Sequence, residues 1–152
     1  MTGCMEDDFQ QFVERYVDAW SSGEFSRVKA LWDPDCEEPW HFPEELDTPI
    51  VGWEQLDAYL AAAGEIIRDF KISVSDGHVK HLADGLALFR FQMEWTAIMN
   101  SNSVFRAPIG APVRVSGVLR GTADGMKLMH YMEAGPAALP YIIKTYEAFA
   151  KR

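Results

Sequence analysis

Two acids, Glu37 and Glu38, stand beside Pro39, Trp40 and Phe42 in the stretch "CEEPWHF". A carboxylate set against apolar rings loses hydration and becomes a stronger proton acceptor near neutral pH. On an extended strand neighbouring side chains point to opposite faces, so Glu38 is the candidate general base and Glu37 faces solvent. A solvent-facing acid at a strand end is the other reading of Glu38. Tyr16 lies on an apolar helical stripe, where its phenol either bonds to backbone or donates to an oxyanion. His41 has the opposite parity to Glu38 and faces away from it unless Pro39 introduces a bulge. His130 shares parity with Leu128 and Met132. That puts it on an inner face, as a satisfied core residue, or as an acid or an orienter of the substrate. Glu133 has the opposite parity and reaches the same place only if its strand bends or ends.

Other residues could form the walls of such a site. Trp40, Tyr59, Met93 and Trp95, with Phe89 and Phe91, are core residues that could also line a pocket, and Trp95 would suit a flat ring. Arg106, in the loop "NSNSVFRAPIGA", could meet an anionic or phenolic group as part of a lid, although an ordinary exposed loop explains it too. No metal site is expected. His78 and His81 lie three apart on a strand and point to opposite faces, and a structural zinc site needs more ligands. The chain has no Gly-x-Ser-x-Gly elbow and no phosphate-binding glycine loop.

The elements that must carry these groups follow from periodicity. Phe9, Phe12, Val13, Tyr16, Val17 and Trp20 recur at spacings of three and four, which predicts a helix over about Glu6–Ser21, stopped at Ser22-Gly23. Phe25, Val28, Leu31 and Trp32 form a second, shorter stripe closed by Pro34. Cys36–Phe42 reads as a brief strand that Pro39 weakens or places at an edge. Trp53, Leu56, Tyr59 and Leu60 mark a third helix. From Asp69 the period becomes two: Phe70, Ile72 and Val74 alternate up to a turn or bulge at "SDGH". A long strand, Leu86–Met99, carries Ala87, Phe89, Phe91, Met93, Trp95 and Ala97 on one face and Arg90, Gln92, Glu94 and Thr96 on the other. Two more strands, around Val113–Arg120 and Met126–Ala134, flank the "TADG" hairpin turn. A final helix carries Leu139, Ile142, Ile143, Tyr146 and Phe149 on its apolar face. Helices segregated from a strand meander predict an α+β domain with helices laid on one face of a curved antiparallel sheet. The mouth of that cone would be the natural place for an apolar ligand.

This order of elements, with "RYVDAWSSGEFSRVKALW" and the "EEP" after it, resembles the NTF2-like (cystatin-like) superfamily, in particular its SnoaL-like and ketosteroid-isomerase-like members. In the ketosteroid-isomerase branch a first-helix tyrosine hydrogen-bonds a developing enolate, and the resemblance places Tyr16 there. The branch's base precedes a proline in the first strand, which places Glu38. Its second, protonated carboxyl aligns with Gly117, which has no carboxyl. SnoaL-like and epoxide-hydrolase-like relatives instead keep an acid near the end of the last strand, in a segment similar to "HYMEAG", which places Glu133 and His130. The resemblance implies cofactor-independent acid–base catalysis on a small hydrophobic, ring-containing molecule, steroid-like, polyketide-like or lignin-derived. The step would be an isomerisation, dehydration or retro-aldol cleavage. A ligand carrier or an interaction module on the same fold is the alternative.

The bulk numbers agree with one such domain over residues 1–152, with 48% hydrophobic and 12% aromatic residues to fill a core. Fourteen basic against 23 acidic residues give a net charge of −9, which repels phosphate backbones and argues against nucleic acid as a partner. No apolar run is long enough to span a membrane, and "MTGCMEDDF" lacks a basic-then-apolar leader, so a cytoplasmic protein is expected. Cys4 and Cys36 are expected to be free thiols. The mixed outer face of Arg90, Gln92, Glu94, Arg114, Val118 and Arg120 suggests a homodimer formed through the sheet.

Overall fold

A computed structural model describes residues 2–101, 104–135 and 138–151. Helix α1 (Thr2–Ser21) starts four residues before the expected boundary. It turns Phe9, Phe12, Tyr16 and Trp20 inward, all nearly inaccessible to solvent. Helix α2 (Phe25–Lys29) is a single turn that buries Val28. Strands β1 (Trp40–Phe42) and β2 (Ile50–Val51) form a short antiparallel pair, followed by helix α3 (Trp53–Ile66). The long strands are β3 (Ile67–Ala83), β4 (Leu86–Met99), β5 (Ile109–Thr122) and β6 (Gly125–Ala134), and helix α4 (Ala138–Ala150) ends the chain.

The six strands form one curved, unclosed sheet in the order β2-β1-β6-β5-β4-β3. The four long strands are antiparallel, as alternation predicted. β1 joins β6 in parallel, so the sheet is mixed. A second parallel contact lies upstream of β1: Asp33 N–H donates to the Leu128 carbonyl at 2.9 Å, and Leu128 N–H donates to the Leu31 carbonyl at 2.8 Å. The connection after α2 is thereby tied to β6.

The inner face of the sheet closes on α1. Phe12 packs on Phe89 with ring centroids 5.7 Å apart, and Tyr16 packs on Phe91 at 5.2 Å. Burying each such ring contributes about 2–3 kcal/mol, and this aromatic seam fixes where α1 lies along the sheet. β4 alternates as expected, with Ala87, Phe89, Phe91, Met93 and Ala97 buried and Arg90, Gln92, Glu94 and Thr96 exposed.

Two of the four register shifts in the long strands bear on the site. "SDGH" is a bulge inside β3, with the register shifting between Ser75 and His78 and Asp76 at φ 52°. Asp76 there takes hydrogen bonds from Arg90 Nη1 at 2.8 Å and from the His78 ring. The second bulge has more consequence. Leu119 faces Leu128, but Val118 faces His130, so Met129 is an extra residue in β6. A single extra residue exchanges the two faces of everything beyond it.

On α4, Ile142, Ile143, Tyr146 and Phe149 are exposed. The Leu139 side chain and residues 102 and 103 of the loop between β4 and β5 lie outside the described set. No described helix is long and apolar enough to cross a membrane.

Candidate active site

The extra residue in β6 decides which polar groups enter the interior. Past it, Tyr131 is buried, and Glu133 shares its face. His130, expected inside with Leu128, instead lies on the other face, half-buried against Phe42 and Trp40 with ring centroids 5.4 and 6.1 Å away. Partial burial lowers its pKa. The expected parity of Leu128 and His130 assumes an uninterrupted strand, and Met129 breaks it.

A chain of hydroxyls runs from α1 to the end of β6. Tyr16 reaches inward four residues after Phe12 and four before Trp20, so the same helical stripe that packs the core delivers its phenol. The Tyr16 and Tyr131 hydroxyls hydrogen-bond to each other. Tyr131 Oη donates to Glu133 Oε1 at 2.9 Å, and Tyr16 Oη also lies 3.1 Å from Met93 Sδ. Glu133 Oε2 accepts the Glu44 N–H at 3.2 Å. Glu44 in turn takes a hydrogen bond from Trp95 Nε1 at 3.3 Å, and Trp95 stacks on Phe70 with centroids 5.7 Å apart. Beside this group the Tyr59 hydroxyl donates to Glu45 Oε1 at 2.6 Å.

The electrostatics favour protonation along the chain. Desolvation pushes the Glu133 pKa up to about 7, and the neighbouring Glu45 and Glu44 charges push the same way. The hydrogen bonds from Glu44 N–H and Tyr131 oppose that rise without cancelling it. Burial, with Glu133 nearby, holds the Tyr16 and Tyr131 phenols well above the ordinary range. Tyr59 is raised by burial and by Glu45. The result is a carboxyl that exchanges protons near neutrality, joined to two phenols that stay protonated and serve as donors.

His41 stands beside this chain. It is 2% exposed, stacked on Trp32 at 5.8 Å and set 5.1 Å from both Tyr59 and Tyr131. Burial lowers its pKa to about 4, so it is neutral at physiological pH. Neither ring nitrogen has a hydrogen-bond partner among the described residues. A void of about 10 Å³ adjoins it, lined also by Tyr16, Trp20, Leu128 and Tyr131. That is close to the smallest space that holds one water.

Glu38 departs from its expected place. It is exposed, and its Oε1 accepts the Trp40 indole N–H at 2.8 Å on the outer side. β1 begins only at Trp40, and the Pro39 carbonyl is engaged by Gly52 N–H at 2.9 Å. Pro39 and His41 therefore point in while Glu38 and Trp40 point out, the reverse of the parity expected from sequence. Arg106 is exposed, its Nη1 donating to the Ser101 carbonyl at 2.9 Å. It borders a separate surface hollow with Arg68 and Phe105.

The structure thus brings together Tyr16, Tyr59, Met93, Trp95, His41 and Glu133 and leaves out Glu38, Trp40, His130 and Arg106. Sequence reasoning missed Tyr131 and Glu44. The bulge that turns Tyr131 inward carries no Gly or Pro marker, and Glu44 sits in a polar loop without periodicity. Cys4 and Cys36 are both free, and Cys36 is buried.

A mixed, curved sheet wrapped on an N-terminal helix, with polar groups converging on its inner face, defines an NTF2-like α+β cone. Residues 13–131 match the family model for the SnoaL-like domain, and the chain belongs to that family. Comparison with curated protein sequences gives no match. Among solved structures, the chain is similar to an NTF2-like protein from Streptomyces avermitilis provisionally named a dehydratase. That match has 16% identity and a TM-score of 0.73, and covers 88% of this chain and 97% of that one. It is also similar to a protein from Novosphingobium aromaticivorans provisionally named a scytalone dehydratase, with 13% identity, TM-score 0.74 and coverage of 89% and 88%. A ketosteroid isomerase-like protein from Erwinia carotovora gives 15% identity, TM-score 0.64 and coverage of 84% and 93%. At these identities the likeness establishes the fold.

Proposed function

We propose that the chain is an acid–base enzyme whose own side chains carry the reaction, with Glu133 as the base and Tyr16, hydrogen-bonded to Tyr131, as the donor to the developing oxyanion. The observation that carries this reading is the hydroxyl chain ending on a carboxyl whose pKa burial has raised to about 7. A base works best when its pKa is near the ambient pH, and preset donors stabilise charge as it forms. Met93, Trp95 and Tyr59, which gather around these groups, would suit a small hydrophobic molecule with a ring. Isomerisation, dehydration and retro-aldol cleavage all pass through an enol- or alkoxide-like species that these groups can serve. The dehydratase and isomerase-like names of structural neighbours agree with that range. Glu133 takes here the base role that the family resemblance placed on Glu38.

The test is a panel of steroid-like, polyketide-like and lignin-derived aromatic compounds offered to the wild type and to Glu133→Gln. Removing a general base costs about 10²–10⁴-fold in turnover, so E133Q is expected to lose kcat by that order while KM changes little. kcat/KM should rise about tenfold per pH unit below 7 and level off above it, because the ionised form is the active one. Unchanged turnover in E133Q would remove Glu133 from the chemistry, and saturable binding without turnover would make the chain a ligand carrier. We further propose a cytoplasmic homodimer formed through the outer face of β4 and β5, where Arg90, Gln92, Glu94 and Arg114 are exposed.

A further inference from the structure

The number of hydrogens in the hydroxyl chain limits how it can point, a property that rests on the catalytic role proposed for Glu133. Each phenol has one hydrogen to donate. When Glu133 is ionised, Tyr131 donates to Glu133 Oε1, Tyr16 donates to Tyr131, and Met93 Sδ receives nothing. When Glu133 is protonated on Oε1, leaving Oε2 to the Glu44 N–H, the acid hydrogen faces Tyr131. Tyr131 must then accept from Glu133 and turn its own hydrogen to Tyr16. Tyr16 accepts from Tyr131 and turns its hydrogen outward, where Met93 Sδ lies 3.1 Å away. The sulfur is a weak acceptor, and an oxygen of a bound guest is a better one.

We infer that the direction of this chain is a proton-controlled switch: Tyr16 offers its hydrogen to a guest's acceptor oxygen only when Glu133 holds a proton. The guest class is a compound with an acceptor oxygen, such as a ring carbonyl, next to an acidic C–H bond. As that C–H bond breaks, its proton goes to Glu133 Oε1 and its electron pair forms the enolate. The Tyr131 hydrogen swings from Glu133 to Tyr16, and the Tyr16 hydrogen swings from Tyr131 to the enolate oxygen. No phenolic O–H bond breaks, and the one negative charge moves from Glu133 to the guest. Removal of the proton and stabilisation of the resulting anion are thus one coupled event. The ionisable groups around Glu133 are Glu44 and Glu45 from the connection between β1 and β2, Tyr59 from α3, Tyr16 from α1 and Tyr131 from β6. His41 of β1 packs on Tyr131. Val115, facing Glu133 across β5, brings no charge.

The switch is read without any substrate, so its failure is separable from a failure of the catalytic reading, which turnover of E133Q decides. In protein labelled with ¹³C at tyrosine Cζ and glutamate Cδ, a titration from pH 5 to 9 should show Tyr16 and Tyr131 following the Glu133 midpoint. In Tyr131→Phe, Glu133 should still titrate while Tyr16 no longer follows it. In Met93→Leu, which removes the outward acceptor, the Glu133 midpoint should fall by about half a pH unit. Tyr16 silent in the wild type, or following equally in Tyr131→Phe, overturns the switch, and so does an unmoved midpoint in Met93→Leu.

Discussion

Two ionisable residues, His41 and Glu133, titrate away from their ordinary ranges for the same reason, loss of hydration, and in opposite directions. For His41 the folded pKa of about 4 lies below the unfolded value, so the unfolded chain takes up the proton first. Stability therefore falls as pH drops below about 6.5 and the loss levels off under about 4, reaching about 3 kcal/mol. Glu133 changes stability in the opposite sense over the same range, so the His41 loss is read as a difference: in denaturant melts from pH 7 to 4, His41→Leu should gain about 3 kcal/mol on the wild type. Because His41 leaves two ring nitrogens without partners among the described residues, the leucine variant should also be no less stable at pH 7. A variant whose stability changes in parallel with the wild type would show that His41 is protonated in the folded state. At this scale the sequence was only half legible. Tyr16 could be read from its helical stripe, since helix phase is robust over several turns. Glu38 was misplaced because a three-residue strand preceded by a proline has no periodicity long enough to fix its phase.

At the scale of elements, the β6 bulge does the sorting. It sends Leu128 and Tyr131 to the same side and puts His130 outside. The strands, helices and sheet faces of β4 and β5 follow from hydrophobic alternation, which reports burial directly. A bulge is invisible to alternation until the partner strand is known, so Tyr131 and Glu133 could be placed only with the register in hand. Gly117, opposite Tyr131, shows how close the packing is there. A Cβ on Gly117 would meet the His130 carbonyl oxygen and lie 2.8 Å from Phe89 Cε1. The position that resemblance aligned with a second carboxyl therefore has no room for one. Gly117→Ala is expected to destabilise the fold by about 1–3 kcal/mol through overpacking, measured by urea midpoint. An unchanged midpoint would mean that β5 and Phe89 yield easily.

For the whole molecule, Glu133 links stability to pH in the sense opposite to His41. Its folded pKa of about 7 lies above the unfolded value, so its stabilising contribution is complete at low pH and is lost as pH rises to about 7. Glu133→Gln has no such loss. Its melting temperature should exceed that of the wild type above pH 7, by the equivalent of about 2–3 kcal/mol, and the gap should close below about pH 4.5. The SnoaL-like cone tolerates this cost because a large buried apolar core, the aromatic seam between α1 and the sheet included, stabilises it. The fold was legible at this scale because nearly every long element obeys its own period. The parallel docking of β1 was not, since three residues carry no signal of strand direction.

The carboxyl of Glu133 can be observed directly by ¹³C NMR of the Cδ resonance in uniformly folded protein as pH is varied. A midpoint near 7 is the outcome expected of a buried base tied to two phenols. A Glu133 midpoint near 4.5 would contradict it, since a carboxyl already ionised well below neutrality is hydrated and poorly suited to take a proton from a guest.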